Sequence, residues 1–308
     1  MDKLHVSVSP HIHGKKSTQS IMLDVIIALI PATIAGIVIF GISALFVVAT
    51  CVITAVVCEL IFNIIVKKEQ TVSDLSAVVT GLILALNLPA NIPLWQAAVG
   101  SAFAIIVVKC LFGGLGKNVV NPAITARVFM LLAFGSMATA AFPVKMDAAS
   151  SATPLAILAE DGTVNLMDLF LGNRGGSIGE TCAIALLIGG IYLFVRKVIS
   201  WHIPVAFIGT AFLFTLLVEG GNLETALAWT LSGGLLIGAI FMATDYVTSP
   251  STAKGKIIFG IGAGVITVLV RFWGTYPEGV SFAILFMNIV NPYIDSLCTR
   301  KLFGGAKK

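Results

Sequence analysis

Apolar residues along the chain fall into ten runs separated by glycine, proline or charged residues. The runs cover residues 21–40, 43–66, 76–88, 94–112, 123–142, 178–196, 203–218, 226–243, 256–273 and 279–296. A helix needs about 20 apolar residues to cross the hydrocarbon core of a bilayer. Because most of the runs approach this length, the pattern predicts an all-α polytopic membrane protein with about ten transmembrane helices.

The composition agrees with this pattern. Of the 308 residues, 57% are hydrophobic and only 11% are charged, whereas soluble domains carry roughly 25% charged residues. This excludes an ordinary soluble domain and leaves no room for one that binds a nucleotide. The net charge of +4 is therefore interpreted as a topology signal and not as a surface for nucleic acid.

The distribution of basic residues predicts the orientation. With the N-terminus in the cytoplasm, 15 of the 19 lysines and arginines fall in inner segments. Lys145, Arg174 and Arg271 fall in outer segments, and Arg127 lies within a span. Cytoplasmic loops of membrane proteins are enriched in Lys and Arg, so both termini are predicted to be cytoplasmic and the loop 141–177 to lie on the outer face.

Five spans precede that loop and five follow it, which indicates an internal repeat. Val120-Asn121-Pro122-Ala123 recurs as Val290-Asn291-Pro292-Tyr293 near the fifth span of each half. An odd number of spans per half gives the two halves opposite orientations. The predicted units are a cytoplasmic arm 1–20, a first five-helix repeat 21–142, an outer loop 143–177, a second repeat 178–298 and a basic tail 299–308.

The third span of each half is unusual. The segment 76–88 is short and ends in Asn87-Leu-Pro89, and its counterpart ends in Thr244-Asp245-Tyr246. Short, interrupted spans at matching positions of inverted halves indicate a site near the membrane midplane. Asp245 is a candidate ligand for Na⁺ or a proton relay, because an intramembrane carboxylate is costly. The alternative is that Asp245 lies in an inner loop and caps a helix.

One polar segment of the outer loop carries candidate chemistry: Asp147-Ala-Ala-Ser150-Ser151-Ala152-Thr153, followed by Pro154. No His or Lys neighbours Thr153 to act as a base, so its hydroxyl is a poor catalytic nucleophile. It is instead a candidate acceptor for a modification, since Pro154 stiffens the chain just after it. From these residues alone, an inert surface loop is the favoured interpretation.

The segment resembles the flavinylation motif Asp-x-x-Ser/Thr-Gly-Ala-Ser/Thr, with Ser151 in place of the usual glycine. The run Ser7-Val-Ser-Pro10-His11 to Ala32 and the segment Asn121-Pro-Ala-Ile-Thr-Ala-Arg127 are similar to the D subunit of Rnf complexes. The related NqrB subunit of the sodium-pumping NADH:quinone reductase shares this motif but usually has a longer N-terminal extension. Both subunits resemble urea transporters in fold.

The resemblance implies a covalent FMN on Thr153, attached by a flavin transferase, with Asp147, Ser150, Ser151, Ala152 and Pro154 around it. The chain would carry electrons between ferredoxin and NAD⁺, coupled to Na⁺ or H⁺ translocation in the cytoplasmic membrane. Its partners would be Rnf subunits A, B, C, E and the FMN-bearing G subunit. The chain would bind no NAD and no metal, and would supply no catalytic side chain.

A second, non-covalent riboflavin is also implied by the resemblance, and Asn121 and Asn291 are the candidate residues for it. Arg127 could meet a flavin oxygen or phosphate, pair with a carboxylate, or extend to the inner surface, which is the favoured expectation. Asp24 and Glu59 are expected to reach the membrane interface.

Two features complete the prediction. Gly260-Ile-Gly-Ala-Gly264 has the spacing of a close helix–helix contact. The competing functions are an NqrB-type subunit and a channel or transporter for a small polar solute without redox chemistry. The flavinylation-like segment discriminates them, since a channel has no use for it.

Overall fold

The computed structural model describes residues 17–135, 142–143, 152–160, 162–274 and 278–298. These residues form helices and turns, and no extended strand occurs among them. The predicted all-α class is confirmed for this part of the chain. The N-terminal arm to residue 16, most of the flavinylation-like segment and the basic tail lie outside it.

Thirteen α-helices occur in the described residues. They are α1 Thr18–Phe40, α2 Ile42–Val66, α3 Ser76–Leu86, α4 Leu94–Phe103, α5 Pro122–Ala133, α6 Pro154–Ala159, α7 Leu166–Leu171, α8 Ala183–Val195, α9 His202–Val218, α10 Leu223–Leu231, α11 Leu235–Ile237, α12 Ala253–Trp273 and α13 Val280–Cys298. Helices α4 and α11 continue as π-helical turns over Ala104–Cys110 and Gly238–Met242.

Four of these helices, α1, α2, α12 and α13, are long and apolar enough to cross a membrane. The described residues also contain one broken pair, Leu223–Leu231 with Leu235–Met242, which is bent by 66°. Five further apolar helices have 10–17 residues. The polytopic membrane class is confirmed, while the number of crossings and the inverted repeat stay predictions.

A single glycine joins the first two helices. Gly41 has φ = 76° and donates its N–H to the carbonyl of Ile37 at 2.8 Å. Glycine adopts this left-handed conformation without steric cost, so the chain reverses within one residue. The predicted boundary between 21–40 and 43–66 is therefore accurate.

The third span of each half is interrupted, but differently from the prediction. Helix α3 has 11 residues, which is about 16 Å and half of a hydrocarbon core. The third span of the second half was predicted as one run over 226–243, and this was wrong. The helix stops at Leu231 because Gly233 adopts φ = 67°, and it resumes in a new direction after Gly234.

Two other predicted spans begin or end elsewhere. Helix α5 stops at Ala133, before the end of the 123–142 run. Helix α8 starts only at Ala183 because the segment before it turns back onto α3. There the N–H groups of Ile178 and Gly179 donate to the carbonyls of Leu88 and Leu86 at 3.0 and 2.7 Å. The last carbonyls of a helix have no partner within that helix. Because α3 ends inside the protein, the segment before α8 supplies the missing N–H groups.

The helices pack as two groups. Helix α2 packs on α3 and α4, and α9 packs on α10 and α12. The groups meet where α1 packs on α8 and where α5 packs on α13.

The predicted close helix contact is confirmed. Gly260 and Gly264 on α12 face α9. A Cβ on Gly264 would lie 2.8 Å from Cβ of Thr210 and 2.9 Å from the carbonyl oxygen of Phe207. These two glycines let the backbones of α9 and α12 approach closely.

We predict that Gly264→Ala destabilises the protein by about 1–3 kcal/mol through overpacking against α9. Gly209→Ala on α9 is the matched control, because a Cβ there meets no atom within 4 Å. Both changes bring the same gain in helix propensity, roughly 0.5–1 kcal/mol. Thermal unfolding in detergent checks this, and equal melting temperatures for the two variants would contradict the packing account.

Candidate functional site

Two residues of the flavinylation-like segment, Ala152 and Thr153, are described, as is Pro154 after it. Ala152 is exposed, Thr153 is half-buried, and Pro154 is the buried first residue of α6. Thr153 is the N-cap, and its Oγ1 accepts a hydrogen bond from the N–H of Ala156 at 3.3 Å. Asp147, Ser150 and Ser151 lie outside the described residues, so their predicted roles stay predictions.

Helix α6 holds Thr153 close to the break in the third span of the second half. A Cβ on Gly233 would lie 2.7 Å from Cδ1 of Leu155 and 3.0 Å from Nη2 of Arg271. Leu155 is buried and lies two residues after Thr153. The structure therefore brings together the flavinylation-like segment, the helix break and Arg271, which is an association that the sequence pattern did not predict.

Arg127 lies in the same region and does not extend to the inner surface, so that expectation was wrong. Its side chain is only 5% exposed. Nη1 donates to Oδ1 of Asn87 at 2.8 Å, and Nη2 forms an ion pair with Glu278. The alternative in which Arg127 pairs with a carboxylate is confirmed. The partner could not be read from the sequence because it lies 151 residues away.

Two further buried arginines satisfy backbone carbonyls. Arg271 donates through Nη1 to the carbonyl of Trp229 at 2.6 Å and through Nη2 to that of Ser232 at 2.9 Å. Arg174 donates through Nη2 and Nε to the carbonyls of Glu180 and Thr181 at 2.6 and 3.2 Å. Arginine is suited to such positions because its five N–H donors form a rigid fork.

A cavity of about 100 Å³ lies between the two groups of helices at the opposite end of the bundle. Its polar lining comes from both halves of the chain: Ser76, Thr80, Lys109, Asn118, Asn121, Thr244 and Asp245. Asp245 is half-buried and accepts hydrogen bonds from Oγ1 of Thr248 at 3.0 Å and the N–H of Val247 at 3.5 Å. It caps no helix, because the N-cap of α12 is Thr252.

The burial of Asp245 and its hydrogen bonds act on its pKa in opposite directions. Loss of hydration raises the pKa of its carboxyl, and the hydrogen bonds from Thr248 and from the backbone of Val247 and Tyr246 oppose this in part. A carboxyl in this position can exchange a proton or meet a cation that enters the cavity.

The two Asn-Pro sequences occupy different positions. Asn121 is the N-cap of α5, where its Oδ1 accepts from Ala123 and Ile124 and its Nδ2 donates to the carbonyl of Met242 at 3.3 Å. Asn291 lies inside α13, and its buried Oδ1 has no hydrogen-bond partner among the described residues. Asn121 lines the cavity, and Asn291 does not, so their shared role at a riboflavin stays a prediction.

Asn288 connects the two halves at this point. With its amide oriented for hydrogen bonding, its oxygen accepts from the N–H of Asn121 at 3.1 Å and its nitrogen donates to the carbonyl of Thr248 at 3.2 Å. The sequence analysis missed Asn288. Its spacing of three residues from Asn291 on one helix face was the available signal.

Glu59 was expected at the membrane interface, and this was wrong. Glu59 and Lys109 are each 2% exposed, and Oε1 of Glu59 is 2.8 Å from Nζ of Lys109. Lys109 also donates to Ser76 Oγ at 2.6 Å, and Thr71 donates to Glu59 at 2.8 Å. The π-helical turn over Ala104–Cys110 places Lys109 on the buried side of its helix.

The Glu59–Lys109 pair stands between two cavities. Lys109 lines the cavity with Asp245, and Glu59 lines a second cavity of about 260 Å³ that contains Lys68 and Glu69.

Asp24 was likewise expected at the interface but is 4% exposed. Its carboxylate accepts from Tyr192 at 2.9 Å and Arg196 at 3.2 Å, which links α1 to α8.

Comparisons with known proteins agree with the motifs. A sequence model of the NQR2, RnfD, RnfE family matches residues 5–304. The chain is 48% identical, over 99% of its length and 96% of the other protein, to the D subunit of the Na⁺-translocating ferredoxin:NAD⁺ oxidoreductase complex of Acetobacterium woodii. It is 42% identical, over 97% of its length and 96% of the other protein, to the D subunit of the proton-translocating ferredoxin:NAD⁺ oxidoreductase complex of Clostridium ljungdahlii.

A third relative is the D subunit of the ion-translocating oxidoreductase complex of Stutzerimonas stutzeri. It is 37% identical over 94% of this chain and 93% of its own length. These relatives cover almost the whole chain, as the family match does. The chain belongs to the NQR2, RnfD, RnfE family.

Proposed function

We propose that this chain is the D subunit of an Rnf-type complex. In that role it is a membrane protein that carries electrons between ferredoxin and NAD⁺ while the complex moves Na⁺ or H⁺. The full-length similarity to three D subunits supports this proposal. The chain would work beside subunits A, B, C, E and G in the cytoplasmic membrane.

The proposed cofactor is FMN, joined through its phosphate to Oγ1 of Thr153. The residues present fit such a group. Thr153 is half-buried at the start of α6, whose Leu155 packs on the helix break. Buried donors near this break, Arg271 Nε and Arg174 Nη1, have no hydrogen-bond partner among the described residues. Unpaired buried donors favour an anionic or acceptor-rich ligand.

When bound, the flavin supplies one- and two-electron chemistry, and the protein supplies its attachment, position and electrostatic environment. Thr153 would hold the phosphate, and the N–H of Ala156 donates to its Oγ1. The contact of Leu155 with Gly233 fixes α6 against α10. The ring would thereby be held at one end of the bundle, which we propose faces the outer side of the membrane.

We predict that Thr153→Val abolishes covalent flavin attachment, because valine has the size of threonine but no hydroxyl. The full-length chain would be produced with a flavin transferase, denatured, and examined in a gel under ultraviolet light. The fluorescent band of the unsubstituted chain is expected to vanish in the variant.

Thr163→Val is the matched control for this experiment, since Thr163 lies in the same loop outside the motif. It is expected to keep the full fluorescence. A band that survives Thr153→Val, or no band from the unsubstituted chain, would overturn the proposal of FMN on Thr153. The latter outcome would favour the solute-channel interpretation.

The cavity with Asp245 fits an ion or water pathway better than a second flavin. Its volume of about 100 Å³ corresponds to roughly three waters at 30 Å³ each. Sites for drug-sized ligands have about 300–1,000 Å³. This comparison favours an ion or water pathway over a riboflavin site. We propose that Asp245 binds the translocated Na⁺ or proton, with the hydroxyl and amide groups around it as further oxygen ligands.

The coupling ion must be identified by measurement. The A. woodii relative is named as Na⁺-translocating and the C. ljungdahlii relative as proton-translocating, and this chain resembles both over nearly its full length. Ferredoxin-driven uptake of ²²Na⁺ and acidification of proteoliposomes, measured in parallel with the purified complex, would distinguish the two ions.

We predict that Asp245→Asn lowers ion transport by about tenfold or more, which corresponds to roughly 1.4 kcal/mol lost from the interaction of the carboxylate with the ion. Flavin fluorescence should stay unchanged, because the substitution lies at the other end of the bundle. Asp295→Asn is the matched control: Asp295 bonds to Ser251 and does not line the cavity. Unchanged transport by Asp245→Asn would remove Asp245 from the mechanism.

We also propose that the halves form an inverted repeat of five helices each. The helix contacts support this. In the first half the second helix packs on the third and fourth, α2 on α3 and α4, and in the second half α9 packs on α10 and α12. The first helices of both halves, α1 and α8, pack on each other, and so do the fifth, α5 and α13. A two-fold axis between the halves would produce this pattern.

A further inference from the structure

Three buried arginines interact near the break between α10 and α11. Arg127 and Arg271 lie against its two glycines, and Arg174 interacts electrostatically with Arg271. Arg127, Arg174 and Arg271 are 4%, 4% and 7% exposed. All three interact electrostatically with the buried Glu180, and Arg174 and Arg271 repel each other. They come from three separate parts of the chain, so the fold assembles this group of charges and no local motif does.

The two glycines of the break lie directly against two of the guanidinium groups. A Cβ on Gly233 would lie 3.0 Å from Nη2 of Arg271, and a Cβ on Gly234 would lie 3.3 Å from Nη1 of Arg127. Larger residues here would push the arginines away. Since each guanidinium is also held by a carbonyl or amide oxygen, both are fixed in position before any ligand arrives.

Among the described residues, the charges in this region do not balance. The three arginines face two carboxylates, Glu180 and Glu278, and the side chain of Glu278 is 35% exposed. Buried charges are stable only when they are paired and hydrogen-bonded. The excess positive charge therefore favours a negatively charged group.

Unpaired polar atoms independently favour a negatively charged ligand here. Nε of Arg271, Nη1 of Arg174 and the hydroxyl of Ser232 are buried and have no hydrogen-bond partner among the described residues. Each is a donor, or in the case of Ser232 can act as one. A ligand that satisfied them would present acceptor atoms, and a planar anion would match the planar guanidinium fork.

We propose that this arginine group, Arg127 and Arg271 with Arg174 behind them, receives the N1–C2=O2 edge of the flavin held by Thr153 and stabilises the negative charge that this edge gains on reduction. The inference rests on the proposed attachment of FMN to Thr153. Leu155 connects the two sites, since it lies two residues after Thr153 and packs on Gly233 beside Arg271.

The numbers of electrons and protons that the flavin takes up determine the charge of its reduced form. The oxidised ring takes up two electrons, delivered one at a time by one-electron carriers of the complex, and one proton at N5. One negative charge then remains on the N1–C2=O2 edge. A positive charge beside this edge favours the reduced form and so raises the midpoint potential. Removing that positive charge must lower the potential.

The test is the midpoint potential of the covalent flavin in full-length chain produced with the flavin transferase. Arg127→Gln and Arg271→Gln should each make the reduced flavin at least tenfold less favoured, a decrease of about 30 mV for a two-electron couple. Arg271→Lys keeps the positive charge but loses the planar guanidinium fork, so we expect a smaller decrease in the midpoint potential. This variant is also expected to fold if Arg271→Gln does not. Lys197→Gln removes one exposed charge at the opposite end and should leave the potential unchanged.

In-gel flavin fluorescence separates the two proposals. If the unsubstituted chain carries flavin and both Gln variants carry it with an unchanged potential, the arginine site is wrong while FMN on Thr153 stands. If the unsubstituted chain carries no flavin, the proposed function fails first. A decrease in potential confined to the arginine variants supports the site, because a structural role alone would leave the potential of the retained flavin unchanged.

Discussion

The interrupted third spans depend on buried polar groups, from side chains or backbone, that complete the hydrogen bonds of broken helices. A backbone group left unpaired in the hydrocarbon core costs several kcal/mol, so a helix can stop inside a membrane only where other protein groups replace its missing bonds. Arg271 does this for the carbonyls of Trp229 and Ser232 at the end of α10. At the end of α3, the N–H groups of Ile178 and Gly179 bond the free carbonyls.

This requirement explains why charged residues occupy the middle of so apolar a chain. Arg127, Arg271 and Lys109 would be costly in lipid, but each is enclosed by protein and meets a carbonyl, an amide or a carboxylate. Within the described part of the chain, the same arrangement leaves Nε of Arg271 and the hydroxyl of Ser232 without a partner at the break. These unsatisfied atoms are the reason for proposing a ligand there.

The apolar runs predicted most helices well because each run records side chains kept from water, by lipid or by protein. Gly41 and the Gly260/Gly264 pair were also readable, since glycine at those positions has a local steric cause. The break at Gly233 was missed because Ser232-Gly-Gly lies in an unbroken apolar run. The ion pairs of Asp24, Glu59 and Arg127 were missed because their partners are 172, 50 and 151 residues away. The distance of a residue from the end of its span contains no information about such partners.

Two short elements connect the arginine group to the cavity with Asp245. Helix α5 has Asn121 at the cavity and Arg127 in the arginine group, and the segment after Gly234 leads through Met242 to Asp245. Six helical residues span about 9 Å. On the proposed placement of the flavin, one added charge would act on an ion about 10 Å away with roughly 1.7 kcal/mol at an effective dielectric constant of 20, and more weakly on an ion farther away.

Moving one charge against 100 mV requires about 2.3 kcal/mol. At that separation, direct Coulomb attraction would supply only part of the required free energy. The remainder has to come from a change in the protein that links the two ends. Helix α5 and the segment 235–242 are suited to this, because the hydrogen bond from Asn121 to the carbonyl of Met242 joins them at the cavity. A shift of Arg127 towards a reduced flavin would therefore be transmitted through α5 to the lining of the ion site.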